Sequence, residues 1–113
     1  MNHYPVSLKY HGEYITRKTT QETLSSSRDV KSMIIQAFPH VKEEQPLHLF
    51  WCKSKESGPL YPLLSQDDYL TLANWHKQNF HSFINVYDSI NDIILIDKEQ
   101  FKNHLENLNQ LLK

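Results

Sequence analysis

The chain has 113 residues, of which 12 are basic and 13 acidic, giving a net charge of −1, with 39% hydrophobic and 22% charged residues. That length suits one compact domain with an appended element and excludes two independent lobes. The composition excludes a disordered tail, and the balanced charge excludes a nucleic-acid or membrane binder working through its whole surface. The first 58 residues carry eight cations against six anions, and the remainder four against seven. Cys52 is the only cysteine, so no internal disulfide can form and a reducing, cytoplasmic setting is expected. Residues 1–15 lack the pattern of a signal peptide. The longest apolar run, Ile93-Ile94-Leu95-Ile96, is too short to cross a bilayer.

In chain order, Pro5 to Thr16 reads as a tight hairpin turning at Gly12. Val6, Leu8 and Tyr10 alternate onto one face, and Ser7, Lys9 and His11 onto the other. The polar stretch Thr19 to Ser27 has no apolar period and is expected to be a loop. Ser26 or Ser27 then caps a helix, with Asp29 in its first turn to suit the helix dipole. Val30, Met33, Ile34, Ala37 and Phe38 form its apolar stripe, and Pro39 stops it. After a charged linker, Leu47 to Trp51 is a strand by composition and alternation. Leu60 to Leu63 is a short strand placed at a sheet edge by Pro62. Ser65 caps a second helix with Asp67 and Asp68 in its first turn, and Tyr69, Leu72, Ala73 and His76 share one side of it. Ser82 to Tyr87 is a last strand, with Ile84 and Val86 opposite Phe83, Asn85 and Tyr87.

Two hairpins flanking a helix, followed by a second helix and a strand, predict an α+β, ubiquitin-like β-grasp. Its mixed sheet has four to five strands with two helices over residues 4–88. Residues 89–113 follow as a linker or short strand and an amphipathic C-terminal helix. In that helix Phe101, Leu105, Leu108 and Leu112 recur at steps of four, three and four. The seam is short for a coiled coil, and docking back onto the domain and pairing with a partner helix are both open readings.

Chemistry is sparse. The seven histidines lack the spacing of a zinc site. Gly12 and Gly58 are the only glycines, so there is no phosphate-binding loop. Cys52 has no evident histidine base and reads as a small core or edge residue. Asp67 and Asp68 serve a helix start more simply than acid–base work. No enzyme, metal or cofactor is expected. Cations stand out more: Lys9 on the first strand, Arg17 and Lys18 at the end of the second, and Arg28 and Lys31 at the start of the first helix. If they share a rim, with the Lys9 ammonium held toward solvent, they form a basic face that steers an acidic partner.

Three segments carry a family resemblance: Val6-Ser7-Leu8-Lys9-Tyr10-His11-Gly12, Leu47-His48-Leu49-Phe50-Trp51, and Leu63 to Ala73. On these, residues 5–88 resemble a PB-one (Phox and Bem) domain, the module that joins scaffold proteins, kinases and oxidase regulators. The resemblance implies that Lys9 occupies the first-strand lysine position of the basic, or type II, class. The family's acidic face lies in the turn after the third strand, which here is Lys53-Ser54-Lys55-Glu56-Ser57-Gly58. Two lysines in that turn leave Glu56, with Asp67 and Asp68 further on, as a residual acidic face. The implied function is an adaptor or scaffold module that binds an acidic partner domain of the same type in one direction, without polymerising. Polarity, oxidase, kinase and selective-autophagy scaffolding all suit such a family. The alternative is a Ras-association-like β-grasp domain that meets a small GTPase through basic residues of its first two strands. A ubiquitin-like modifier is disfavoured, because the sequence closes on Leu111-Leu112-Lys113 without a diglycine.

Overall fold

The computed structural model describes residues 3–54, 59–89 and 92. Strands β1 (Tyr4–Tyr10) and β2 (Glu13–Thr19) pair antiparallel around His11 and Gly12. Both turn residues have positive φ, 49° and 80° respectively, as a two-residue type I′ turn requires. After β2 come α1 (Gln21–Leu24) and α2 (Ser27–Ala37), then β3 (His48–Cys52), β4 (Tyr61–Pro62), α3 (Gln66–Asn79) and β5 (Ser82–Tyr87). The sheet order is β2-β1-β5-β3-β4, with β1 and β5 parallel at its centre and the other pairs antiparallel. This is the ubiquitin-like β-grasp arrangement.

Alternation along the strands sorts the sheet into two faces. Val6, Leu8, Ile84, Val86, Leu49 and Trp51 point inward and join one core with Val30, Ile34 and Ala37 of α2 and Tyr69, Leu72 and Ala73 of α3. Leu8, Leu72 and Ile84 are fully buried at its centre. Each such side chain contributes about 1.5–3 kcal/mol by leaving water.

The helices begin where the sequence places their caps. Ser26 accepts from the Asp29 amide, and Ser65 forms a reciprocal capping box with Asp68. The segment expected to be a loop contains α1, whose cap Thr20 accepts from the Thr23 amide at 3.2 Å. Its one apolar anchor, Leu24, is fully buried. Four residues are too few to show a helical period, so a single anchoring leucine carried the only signal. The domain therefore has three helices among its described residues, not two. The third strand also begins and ends one residue later than expected.

Candidate protein-interaction face

The side of the sheet turned away from the helices carries the residues between the core positions. In register across it lie Tyr14, Lys9, Asn85, Phe50 and Pro62, and beside them Thr16, Ser7, Phe83 and Cys52. Lys9 is thus fixed on a central strand, on the outer face, with its ammonium 5.5 Å from the centre of the Tyr14 ring. The expectation of an ammonium held in open solvent does not hold, because Lys9 is only 7% exposed. Serine and histidine extend the polar row: Ser7 Oγ lies 2.9 Å from His81 Nε2 and 3.1 Å from Thr16 Oγ1.

The other cations are dispersed. Lys18 is exposed and shares the outer face, since it pairs with Pro5. Four residues separate it from Tyr14, the partner of Lys9, which is roughly 13 Å along a strand. Arg17 is exposed but belongs to the opposite register, paired with Val6, and its guanidinium donates to the Thr16 carbonyl at 3.1 Å. Arg28 is exposed on α2, across the sheet from Lys9, and Lys31 donates to the Gln45 carbonyl at 3.3 Å. Both flank grooves shared with Leu47, Leu49 and Leu63 at the β3 side of the domain. The expected common rim of five cations is therefore not formed. Sequence order placed α2 next to the hairpin, whereas the tertiary fold inserts β5 between β1 and β3 and lays α2 beneath the sheet.

On the opposite side of the domain, Asp67 is exposed, and Asp68 Oδ2 accepts from the Leu64 amide at 2.8 Å and the Ser65 amide at 2.9 Å. Those amides hold the Asp68 carboxyl below its ordinary pKa. Its charge is engaged in capping the helix, so it is a poor element of a docking surface. Lys53 sits 4.7 Å from the centre of the Trp75 ring and 5.4 Å from that of Tyr61, over a groove of about 370 Å³. Glu56 and the stripe Phe101, Leu105, Leu108 and Leu112 lie outside the described residues. Cys52 is fully buried and in no disulfide.

Two polar clusters escaped sequence reasoning. Asp88, just after β5, accepts from the Tyr10 hydroxyl at 2.8 Å, from His11 Nε2 at 2.8 Å and from the Gln45 side chain. Burial pushes the Asp88 carboxyl up, but the hydrogen bonds from His11, Tyr10 and Gln45 outweigh it and leave the pKa lowered. The same contact joins burial in raising the Tyr10 hydroxyl. The cluster ties the β1–β2 turn to the end of β5, residues about 77 apart that no local pattern connects. The second cluster is His76, fully buried, with Nδ1 2.7 Å from Ser82 Oγ and Nε2 3.4 Å from the Thr19 carbonyl. A carbonyl only accepts, so Nε2 carries the proton and Nδ1 accepts from the Ser82 hydroxyl. Burial lowers the His76 pKa. Among the described residues no group of His, Cys, Asp and Glu gathers as a metal site would need, and no helix is long and apolar enough to cross a membrane.

No family model and no curated protein matches the chain. Solved structures do. The chain is similar to the PB1 domain of AtNBR1 in an L-type filament determined by cryo-EM, with a TM-score of 0.58 and 20% identity. That match covers 77% of this chain and 98% of the other. It is also similar to a second structure of the AtNBR1 PB1 domain, with a TM-score of 0.56 and 18% identity over 77% of this chain and 98% of that one. The chain has the PB1 fold. In this PB1 sheet the first-strand lysine is Lys9, on the outer face of β1.

Proposed function

We propose that this chain is a non-enzymatic protein–protein interaction module, which docks through the outer face of β1 onto an acidic surface of a partner domain of PB1 fold. The observation that carries this reading is the position of Lys9 on a rigid central strand of a PB1 sheet. Lys18 adds an exposed cation on the same face, and Arg17 another at the neighbouring edge. One direction of binding is favoured. The AtNBR1 PB1 domain forms a filament, and a filament needs two different complementary surfaces on each copy. Of the residual acidic face expected from Glu56, Asp67 and Asp68, the described residues include Asp68, which is committed to a capping box, and Asp67. Lys53 adds positive charge nearby. The module therefore acts as the basic member of a heterodimer in an adaptor or scaffold.

Affinity capture with wild type and Lys9→Ala in parallel, at low and high salt, tests the proposal. The expected result is a captured PB1-fold protein that is lost with Lys9→Ala and weakened by salt, because charges are screened beyond about 8–10 Å at physiological ionic strength. Equal capture by both proteins refutes the basic face. A second reading is favoured by the position of β2, which is a sheet edge carrying Arg17 and Lys18. Such an edge can accept a strand from a small GTPase, in the Ras-association manner. Capture that depends on the GTP state of the partner would select this alternative.

A further inference from the structure

The sheet ends at β4, a strand of two residues, one of which is Pro62 and has no N–H. Such an edge offers little ladder to an incoming strand. It offers side-chain space instead. Tyr61 pairs with Trp51 across the ladder, so both rings lie on the same face of the sheet. A groove of about 370 Å³ separates them from the face of α3 that carries Thr71, Asn74, Trp75 and Gln78, which form one stripe of that helix. The Trp51 ring centre lies 4.8 Å from that of Tyr61 and 6.1 Å from that of Trp75, so the three rings form one cluster. Ligand pockets run from roughly 300 to 1,000 Å³, and a groove at the small end of that range suits one large side chain.

The polar groups decide the sign of the occupant. Lys53 is exposed, and its ammonium sits over the cluster, 4.7 Å from the centre of Trp75 and 5.4 Å from that of Tyr61. Aromatic faces attract cations, but here the chain supplies its own, and a second would be repelled. Two further donors border the groove. Asn74 Oδ1 already accepts from Gln21 at 3.2 Å, which leaves the amide N–H groups of Asn74 to donate. The Trp75 Nε1–H is buried without a hydrogen-bond partner. No hydrogen bond of its own breaks when this half-buried ring turns that donor toward an incoming oxygen. The carboxylate that lines the groove, Asp68, is turned to other work, since its Oδ2 accepts from the Leu64 and Ser65 amides. An apolar cluster is thus joined to a surplus of donors, which suits a carboxylate attached beside a large apolar group.

We propose that the groove between β4 and α3 is a second docking site, which takes a peptide segment of a partner protein carrying an acidic residue beside a large apolar one. The apolar side chain stacks on the half-buried Tyr61 and Trp75 rings, and the carboxylate pairs with the Lys53 ammonium. This site is separate from the outer face of β1 and does not rest on the docking role proposed for Lys9.

Both tryptophans of the chain line the groove, so binding is read without a label. Tryptophan emission and the two indole N–H resonances are followed as blocked pentapeptides are added to the full chain. The probes carry glutamate beside phenylalanine, glutamine beside phenylalanine, lysine beside phenylalanine, or glutamate beside alanine, in a glycine and serine background. The glutamate–phenylalanine peptide should shift both signals saturably at millimolar concentration or below. Exposed ion pairs are weak, so the glutamine peptide, and the glutamate–phenylalanine peptide on Lys53→Met, should each bind about threefold to fivefold less tightly. The lysine and alanine peptides should give no saturable shift. No saturable shift with the glutamate–phenylalanine peptide overturns the site. Equal binding of the glutamate and glutamine peptides, tighter binding of the lysine peptide, or undiminished binding of the alanine peptide overturns the chemistry assigned to it. The peptide series keeps the proposal open to refutation even if circular dichroism shows that Lys53→Met does not fold. Lys9→Ala should bind the glutamate–phenylalanine peptide as wild type does, so the two docking proposals fail separately.

Discussion

Replacing His76 with phenylalanine removes the one buried imidazole among the described residues while keeping its approximate volume. At pH 7.5 the histidine is neutral in both folded and unfolded chains. The cost there is the loss of partners for the Ser82 hydroxyl, which is fully buried, and the Thr19 carbonyl, which is nearly so. A buried polar group left without a partner costs about 1–3 kcal/mol, and the longer 3.4 Å contact to Thr19 contributes the smaller share. For a domain of this size that corresponds to a melting temperature lower by about 4–8 °C per kcal/mol. The pH dependence then separates the two proteins. Burial lowers the folded pKa of His76 below its ordinary 6.5. As pH falls below 6.5 the unfolded chain binds a proton that the folded chain refuses, so wild-type stability declines until the lowered pKa is reached. Urea unfolding at pH 7.5, 6.5 and 5.5 should show that decline in wild type and a shallower one in His76→Phe. Parallel curves for the two proteins would mean that His76 is not held neutral, and the hydrogen-bond assignment would fail with it.

Gly12→Ala should destabilise the domain by about 1–2 kcal/mol, because φ of 80° is unfavourable for a residue with a Cβ even though the site is open; a melt unchanged within error would contradict the turn geometry. Ser65→Ala should cost about 0.5–2 kcal/mol through loss of the α3 cap, read as a lower urea midpoint with unchanged slope. Asp88→Asn should loosen the junction of the β1–β2 turn with β5, seen as faster amide exchange at His11 and Gly12. Because the Asp88 pKa is lowered, its contribution is present above the ordinary carboxylate value of 3.8 and lost as pH falls through the folded value, so the variant should be less sensitive to acid in that range. Equal acid sensitivity would show that the carboxylate has no folded-state role.

Much of the fold was legible because local physics wrote it into short windows. Alternation at Val6, Leu8 and Tyr10 and at Ile84 and Val86 marks half-buried strands, and Ser26 and Ser65 mark helix starts. Gly12 marks the turn, and Pro62 the edge strand. These signals depend on neighbours within a few residues, and the structure keeps nearly all of them. The four-residue α1 lacked a window long enough to be read.

The candidate site was legible only in part. Lys9 could be assigned to a strand and to one of its faces, since a period of two fixes both. Whether its charge meets solvent depends on what lies over that face, which no pattern around Lys9 encodes. The same holds for Arg28 and Lys31, close to the hairpin in sequence but beneath the sheet in space, and for Asp88, which gathers Tyr10, His11 and Gln45 from distant segments. The sequence by itself determined the strands and the two longer helices to within a residue or so, and which face their side chains take, because backbone geometry imposes those periods locally. Only the tertiary structure decided the strand order and the burial of Lys9, because both depend on contacts between segments far apart along the chain.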